Sequence, residues 1–270
     1  MTHIYDLDAL LRLAAELKID PLPLRRLHSR YLKKAVTPEM LLQTLPDTVR
    51  EMLAGHIAFN GLTLDSIMRS KIDNVARLLF KTASDRAVEA VVMQYASKRT
   101  TICVSCQSGC AIGCEFCATG KIRPVENLSY IEILDQLTHA RRAVEPGISI
   151  RNVVFMGMGE PMQNVDAVGR AIDVMLSTEG CNLSPRHIMV STVGLIEPMI
   201  RFAEEYRTVR IALSLHSVEQ SVRERLIPAA RGNTLESLHR AIAEINRIQG
   251  QPVMIEYMLL DGQNDSDRHA

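Results

Sequence analysis

Five of the chain's six cysteines, Cys103, Cys106, Cys110, Cys114 and Cys117, fall within fifteen consecutive residues, and no other feature restricts fold and chemistry as sharply. A chain of 270 residues, 47% of them hydrophobic, carries enough apolar surface for a large core and needs no disulfide scaffold. It opens with no charged-then-apolar leader, and its apolar runs are short and broken by charges. The expectation is a cytoplasmic protein, off the membrane, whose thiols stay reduced. Metal binding or redox chemistry then explains the cysteines better than disulfides do. Cys110-x3-Cys114-x2-Cys117 sets three thiolates on one compact loop, and three thiolates on a 4Fe-4S iron–sulfur cluster leave one iron open to a small molecule. The rival is one zinc ion held by the pairs Cys103/Cys106 and Cys114/Cys117, but only seven residues separate the pairs, fewer than zinc ribbons use.

Charge narrows the partners less. Lysine plus arginine (31) equals aspartate plus glutamate (31), so no global field draws the chain onto a polyanion and any nucleic-acid contact has to be local. One local patch exists: Arg25, Arg26, Arg30, Lys33 and Lys34 lie within ten residues, several of them on one helical face. It reads first as a solvated helix face and second as an RNA contact.

The pattern along the chain changes twice. Leu7, Leu10, Leu11, Ala14 and Leu17 recur at helical spacing, and Thr37-Pro38-Glu39 opens another helix with a cap and a first-turn proline, so the first eighty or so residues read as short helices. Residues 76–80 and 88–93 read as a hairpin about the turn at 83–85. Thereafter apolar strands at 102–105, 153–156, 187–191, 209–215 and 253–258 alternate with helical patterns at 130–144, 165–176, 196–205 and 235–248. Such alternation implies an α/β fold of parallel βαβ units, a barrel or a doubly wound sheet, with ligands at the carboxyl ends of the strands. The expected division is a helical amino-terminal domain over 1–75, a candidate for RNA contact, and a second domain over 76–270.

The motifs follow the strands. Cys103-Val-Ser-Cys106-Gln-Ser-Gly-Cys110-Ala-Ile-Gly-Cys114-Glu-Phe-Cys117 is succeeded by Gly157-Met-Gly-Glu-Pro161, Val190-Ser-Thr-Val-Gly194, Leu213-Ser-Leu-His216 and Leu260-Asp-Gly-Gln-Asn-Asp265. In order and spacing this series resembles the radical S-adenosylmethionine (SAM) superfamily and, within it, the RlmN/Cfr adenosine methyltransferases; a looser likeness extends over 24–53. The resemblance implies a partial (β/α) radical-SAM barrel preceded by a small helical domain and a β-hairpin. It also implies a 4Fe-4S cluster on Cys110, Cys114 and Cys117, SAM as cofactor, a reducing electron donor such as flavodoxin, and methylation of an adenine carbon, here carbon 2, in large-subunit ribosomal RNA, with tRNA a further candidate. By position, Gly159 and Glu160 match the family's SAM-contacting pair, Ser191 the serine at its ribose, and Ser214-Leu215-His216 a further SAM-binding stretch. Against the resemblance stand ordinary roles: a strand-to-helix turn for Gly157-x-Gly159, a helix cap for Ser191, a barrel-lining histidine for His216.

Cys103 stands where the family keeps a second catalytic thiol, which in the family mechanism attacks the sulfur linking protein to RNA and leaves a disulfide to be reduced. Glu89 resembles the family's proton-accepting glutamate, with one extra residue before Cys103 and Gln94 near a usual proline; a surface carboxylate on a strand is the plain alternative. Cys106 and Cys181 receive no role. The family continues beyond the position of Ala270 into another strand, a SAM-contacting asparagine and the cysteine that carries the methyl group, so the 270 residues read as a carboxyl-terminally incomplete barrel whose strand at 253–258 is uncovered. The readings left open are a methyltransferase lacking part of its machinery, a SAM- or RNA-binding relative without methyl transfer, and, third, a zinc-stabilised binding module. No oligomeric state follows from these residues.

Overall fold

The computed structural model describes residues 1–95, 99–145 and 147–266; residues 267–270 lie outside the described residues. The chain forms two compact units, each assembled from separated stretches. The first comprises Met1–Ile102, Ser129–Arg151 and Arg170–Ser184.

Helix α1 (Leu7–Glu16) starts where the Asp6 carboxylate accepts the Ala9 N–H (3.0 Å) and buries Leu10, Leu13 and Ala14 at helical spacing. Helix α2 (Pro21–Lys33), with prolines in its first turn and Asp20 capping Leu22, buries Leu24, Leu27, His28, Tyr31 and Leu32, one stripe of i, i+3, i+4, i+7 and i+8. Short helices α3 (Pro38–Leu42) and α4 (Asp47–Leu53) follow. A minimal parallel pair joins β1 (Thr2–His3) to β2 (Ile57–Ala58). Strands β3 (Thr63–Arg69), β4 (Val75–Lys81) and β5 (Ala87–Gln94) form an antiparallel meander. The partners Ala76/Val92, Leu78/Ala90 and Phe80/Val88 give its buried face. The hairpin thus lies where the alternation puts it. The segment 63–69, expected to belong to the helices, is a strand: nearly all of its side chains face solvent, so it lacks the apolar alternation that marks a strand.

Helix α5 (Tyr130–Ala143) begins at a capping box of Ser129 and Glu132. It carries a fully buried carboxylate, Asp135, which accepts from the Tyr5 hydroxyl (2.7 Å) and from the N–H groups of Gly61 (3.0 Å) and Leu62 (2.9 Å). Burial pushes the imidazoles of His3, His28 and His139 below the usual 6.5, so they are neutral in the folded unit and take up protons on unfolding. A native state that binds fewer protons than the unfolded chain loses stability as pH falls through that range. Thermal unfolding is therefore expected at lower temperature at pH 5 than at pH 7; an equal or higher midpoint at pH 5 would contradict it.

The second unit comprises Cys103–Leu128, Asn152–Gly169 and the chain from Pro185. Strand β6 (Thr100–Cys103) leads into it, and the Val104 N–H donates to the Val154 carbonyl at 2.9 Å. Strands β7 (Asn152–Phe155), β8 (Ile188–Thr192), β9 (Arg210–Ser214) and β10 (Met254–Glu256) pair in parallel in the order β10-β9-β8-β7. The inner strands bury apolar runs (Ile188, Val190, Ile211, Leu213), as parallel strands covered on both faces do. Met254 and Ile255 of β10 are exposed. The helices are α6 (Val165–Leu176), which passes from the second unit into the first after Gly169, α7 (Ile196–Glu205), α8 (Gln220–Leu226) and α9 (Leu235–Gln249). Among the described residues no helix is long and apolar enough to cross a membrane.

Candidate active site

The carboxyl ends of β7, β8, β9 and β10 and the loop after β6 enclose a cavity of about 520 Å³ in the second unit. The loop is tied down before it reaches the triad. Ser105 Oγ accepts from Met158 N–H (2.8 Å), the Cys106 and Gln107 N–H groups donate to the Met158 carbonyl (2.9 and 3.1 Å), and Gln107 Nε2 donates to Asn127 (2.7 Å). Beyond it, Cys117 N–H turns back onto the Cys114 carbonyl (3.1 Å), and Glu115 N–H reaches the Leu226 carbonyl at the end of α8 (3.0 Å). Ile112, Cys110 and Cys114 pack with Leu226, Ile227 and Ala230. Arg123 fastens the far side through the carbonyls of Cys110 (3.0 Å) and Gly120 (3.1 Å).

Cys110, Cys114 and Cys117 all line the cavity and are free thiols. Burial pushes Cys110 up and Cys114 up to about 12, so a metal that binds there has to displace protons. Among the described residues no three His, Cys, Asp or Glu side chains converge as a single metal ion requires. Three cysteine thiols lining one cavity are a donor set that a four-iron cluster uses, each thiolate meeting its own iron. The donor set fits the expected 4Fe-4S group.

A second set of polar groups lines the same cavity. Glu160 is buried; its carboxylate accepts from Met162 N–H (3.0 Å) and Val193 N–H (2.9 Å), bonds that oppose the upward push of burial on its pKa. An ionised carboxylate accepts about four hydrogen bonds, so it retains capacity for a donor in the cavity. Gly159 has φ +106°, and a Cβ there would sit 2.7 Å from Gln107 Cβ; one on Gly157 would sit 2.7 Å from the Val104 carbonyl. Both glycines are thus already demanded by the close passage of the loop after β6.

Ser191 is the next-to-last residue of β8, Ser214 ends β9 and Glu256 ends β10. The Glu256 carboxylate accepts from both hydroxyls (2.6 and 3.1 Å), and all three residues line the cavity. Sequence reasoning missed Glu256, although a lone carboxylate inside the apolar run 253–258 was the available signal. His216 has φ +57°, uncommon outside glycine, and its Nδ1 accepts the Met258 N–H (3.1 Å). Burial lowers its pKa, consistent with a neutral ring, and Phe116 meets it edge-on at 4.8 Å between centroids. Asn264, also unassigned by the sequence reading, holds this corner by donating to the carbonyls of His216 (2.6 Å) and Met258 (2.7 Å).

Three expected site residues stand away from the cavity wall. Leu215 acts through its backbone, its N–H on the Glu256 carbonyl (3.0 Å). Cys103 is half-buried at the end of β6; burial, with the Glu256 charge adding to it, pushes its thiol up to about 11. Glu89 belongs to the first unit, on β5, where it pairs with Arg77 at 3.2 Å.

Residues 104–270 match the family model of the Radical SAM superfamily. A curated protein named "Probable RNA methyltransferase", from Rhodopirellula baltica, is 40% identical over 98% of the chain and 68% of its own length. One named "Probable dual-specificity RNA methyltransferase RlmN", from Aquifex aeolicus, is 36% identical over 98% of the chain and 76% of its own length. The crystal structure of a radical SAM methyltransferase from Sphaerobacter thermophilus superposes with a TM-score of 0.92 at 35% identity, covering 100% of the chain and 80% of that structure's chain.

Proposed function

The chain belongs to the radical SAM superfamily and, within it, to the RlmN-type RNA methyltransferases, enzymes that use a 4Fe-4S cluster and SAM, and from that membership we propose that it methylates carbon 2 of an adenine in large-subunit ribosomal RNA, with tRNA as a further substrate. One observation carries the assignment of residues: the three thiols of Cys110, Cys114 and Cys117 open onto the same cavity as Glu160, Ser191, Ser214 and His216. When bound, the cluster supplies one electron that opens the sulfonium–carbon bond of SAM.

In this reading Cys110, Cys114 and Cys117 hold the cluster. Gly159 and Glu160 meet the SAM amino group, the carboxylate of Glu160 accepting from it. Ser191 and Ser214, whose protons go to Glu256, keep acceptor lone pairs for sugar hydroxyls, and neutral His216, held by Met258 and Asn264 and met by Phe116, forms part of the SAM-binding wall with Leu215 beside it. Phe155 and Met156 give that cavity an apolar side, which limits water near the reacting centre. Cys103, protonated at neutral pH, is the second thiol and has to lose its proton before it attacks sulfur. Glu89 is the proton acceptor. The electron donor is a flavodoxin-type reductant, and the compartment is the cytoplasm.

In this reading the helices within residues 1–75 meet RNA, and the radical chemistry belongs to the part of 76–270 that forms the second unit. On α2, Arg25 pairs with Glu179 and Lys33 donates to the Thr178 carbonyl (2.5 Å). Arg26, Arg30 and Lys34 are exposed, line an open groove and have no ion pair among the described residues. Arg26 and Arg30, four apart, share one face of α2, and Lys34 follows at its extended C-cap. Replacing all three by glutamine is expected to weaken RNA binding and flatten the log–log salt slope by about two; an unchanged slope removes this surface from the RNA contact.

The function is tested by incubating reduced, cluster-loaded protein with SAM and ribosomal RNA and resolving methylated adenosines by mass spectrometry. Formation of 5′-deoxyadenosine with 2-methyladenosine is expected. The 8-methyl isomer would overturn the carbon assignment, and deoxyadenosine without methylated RNA would favour a relative that cleaves SAM only.

A further inference from the structure

Arg223, on α8, is 1% exposed and is among the largest fully buried side chains of the protein. Its guanidinium donates to two neutral acceptors, the carbonyls of Leu215 (3.2 Å) and Val193 (2.6 Å). Among the described residues it has no ion pair. Arginine stays protonated in proteins, and a buried cation without a counter-charge is strongly disfavoured. A clamp between two carbonyls needs donors but no charge, so the clamp alone does not account for an arginine.

The surroundings say which anion is missing. The same short helix ends at Leu226, whose carbonyl receives Glu115 N–H from inside the triad (3.0 Å), and Val222 and Leu226 pack against the core that contains Cys110 and Cys114. The two carbonyls that hold Arg223 belong to the strand-end segments that follow Ser191 and Ser214. Arg223 is therefore tied to the cysteine loop on one side and to both hydroxyl-bearing strand ends on the other, behind the wall of the cavity rather than in it. Once ligation ionises it, the Cys114 thiol lies near enough for its charge to act on the guanidinium. Thiolate ligation makes an iron–sulfur site anionic, and one-electron reduction makes it more so.

We propose that Arg223 is the counter-charge of the iron–sulfur site, a buried guanidinium held on the Val193 and Leu215 carbonyls that offsets the ligating thiolates and favours the reduced cluster. The inference rests on Cys110, Cys114 and Cys117 being the cluster ligands. The step it assists is a pure electron transfer: the reductant loses one electron, the cluster gains it, and no bond forms or breaks. Net charge near a cluster is among the main determinants of its potential, and Arg223 adds charge without occupying the ligand cavity. It is a positioning residue, not a catalytic one.

The test is a redox titration of the whole protein, loaded with cluster under anaerobic conditions and followed by electron paramagnetic resonance, with iron and sulfide measured in each sample. Arg223→Gln keeps donors for the carbonyls and loses the charge; at equal cluster content its ratio of reduced to oxidised cluster at a fixed poise should fall about tenfold, ~59 mV for one electron. Arg223→Lys keeps the charge and loses the fork, and should stay within about threefold of the unsubstituted protein. A loaded Arg223→Gln with an unchanged potential overturns the proposal while leaving the ligand assignment intact. So does a tenfold fall in Arg223→Lys, which remains decisive even if the glutamine variant does not fold, because the potential would then follow packing rather than charge. An unsubstituted protein that takes up no four-iron cluster overturns both the ligand assignment and the proposal built on it.

Discussion

Cys114→Ala is expected to abolish cluster loading and SAM cleavage together, with iron content and brown absorbance falling more than tenfold while the fold survives. The change deletes one buried sulfur from a loop held by other bonds, namely Glu115 on Leu226, Arg123 on the carbonyls of Cys110 and Gly120, and the Ile112 packing. Its cost in stability is about 1 kcal/mol, in the range of small core truncations. Its cost to the metal site is all of it, because a cluster that already leaves one iron open cannot lose a second protein ligand and stay bound. Cys106→Ala and Cys181→Ala are the controls. Cys106 is buried, its sulfur 3.7 Å from the Met158 carbonyl, and Cys181 lies in the first unit beside Arg141. Both should stay coloured. A mononuclear zinc site built on Cys103/Cys106 and Cys114/Cys117 predicts the reverse for Cys106, so loss of metal in Cys106→Ala with full retention in Cys110→Ala would sink the cluster reading.

Much of this site could be read before the fold was known, and the parts that could not share a cause. The cysteine triad is local: eight consecutive residues fix which thiols share a loop. Helices α6 and α7 were legible to the residue because each buries one stripe whose period shows in the sequence. Helix α8 has seven residues and buries only Arg223 and Leu226, too little periodicity to register. Glu256 illustrates the larger difficulty. Its meaning comes from register, which sets Glu256 beside Ser214 across β10/β9 and Ser191 beside Ala212 across β8/β9. Three strand ends far apart in sequence converge only when the parallel pairing is known, and one carboxylate in an apolar run otherwise reads as noise. The basic run at 25–34 was visible, but not that Glu179 and the Thr178 carbonyl occupy two of its five cations and leave Arg26, Arg30 and Lys34 open.

Asp135→Ala should destabilise the first unit by about 3–5 kcal/mol, the range for emptying a buried hydrogen-bonded carboxylate, whereas Asp135→Asn should cost about 1 kcal/mol or less. One carboxylate oxygen, Oδ2, serves the N–H groups of both Gly61 and Leu62, and the other, Oδ1, receives the Tyr5 hydroxyl. Alanine leaves two backbone donors without an acceptor, of which Leu62 is buried, and takes one of two partners from the Tyr5 hydroxyl. Asparagine can keep its oxygen on the two N–H groups and turn its amide to donate to the Tyr5 oxygen, because that hydroxyl can in turn donate to Thr138 Oγ at 2.5 Å. It also removes a buried carboxylate with which no arginine or lysine pairs among the described residues: its basic partner, His139 at 3.7 Å, is held below its usual pKa by burial and is neutral at pH 7. The contrast separates two explanations for the same buried residue. If urea unfolding gives a large loss for alanine and almost none for asparagine, Asp135 is an acceptor and its charge is incidental. Equal losses in both variants would mean that the negative charge itself holds Tyr5, the 61–62 turn and α5 together.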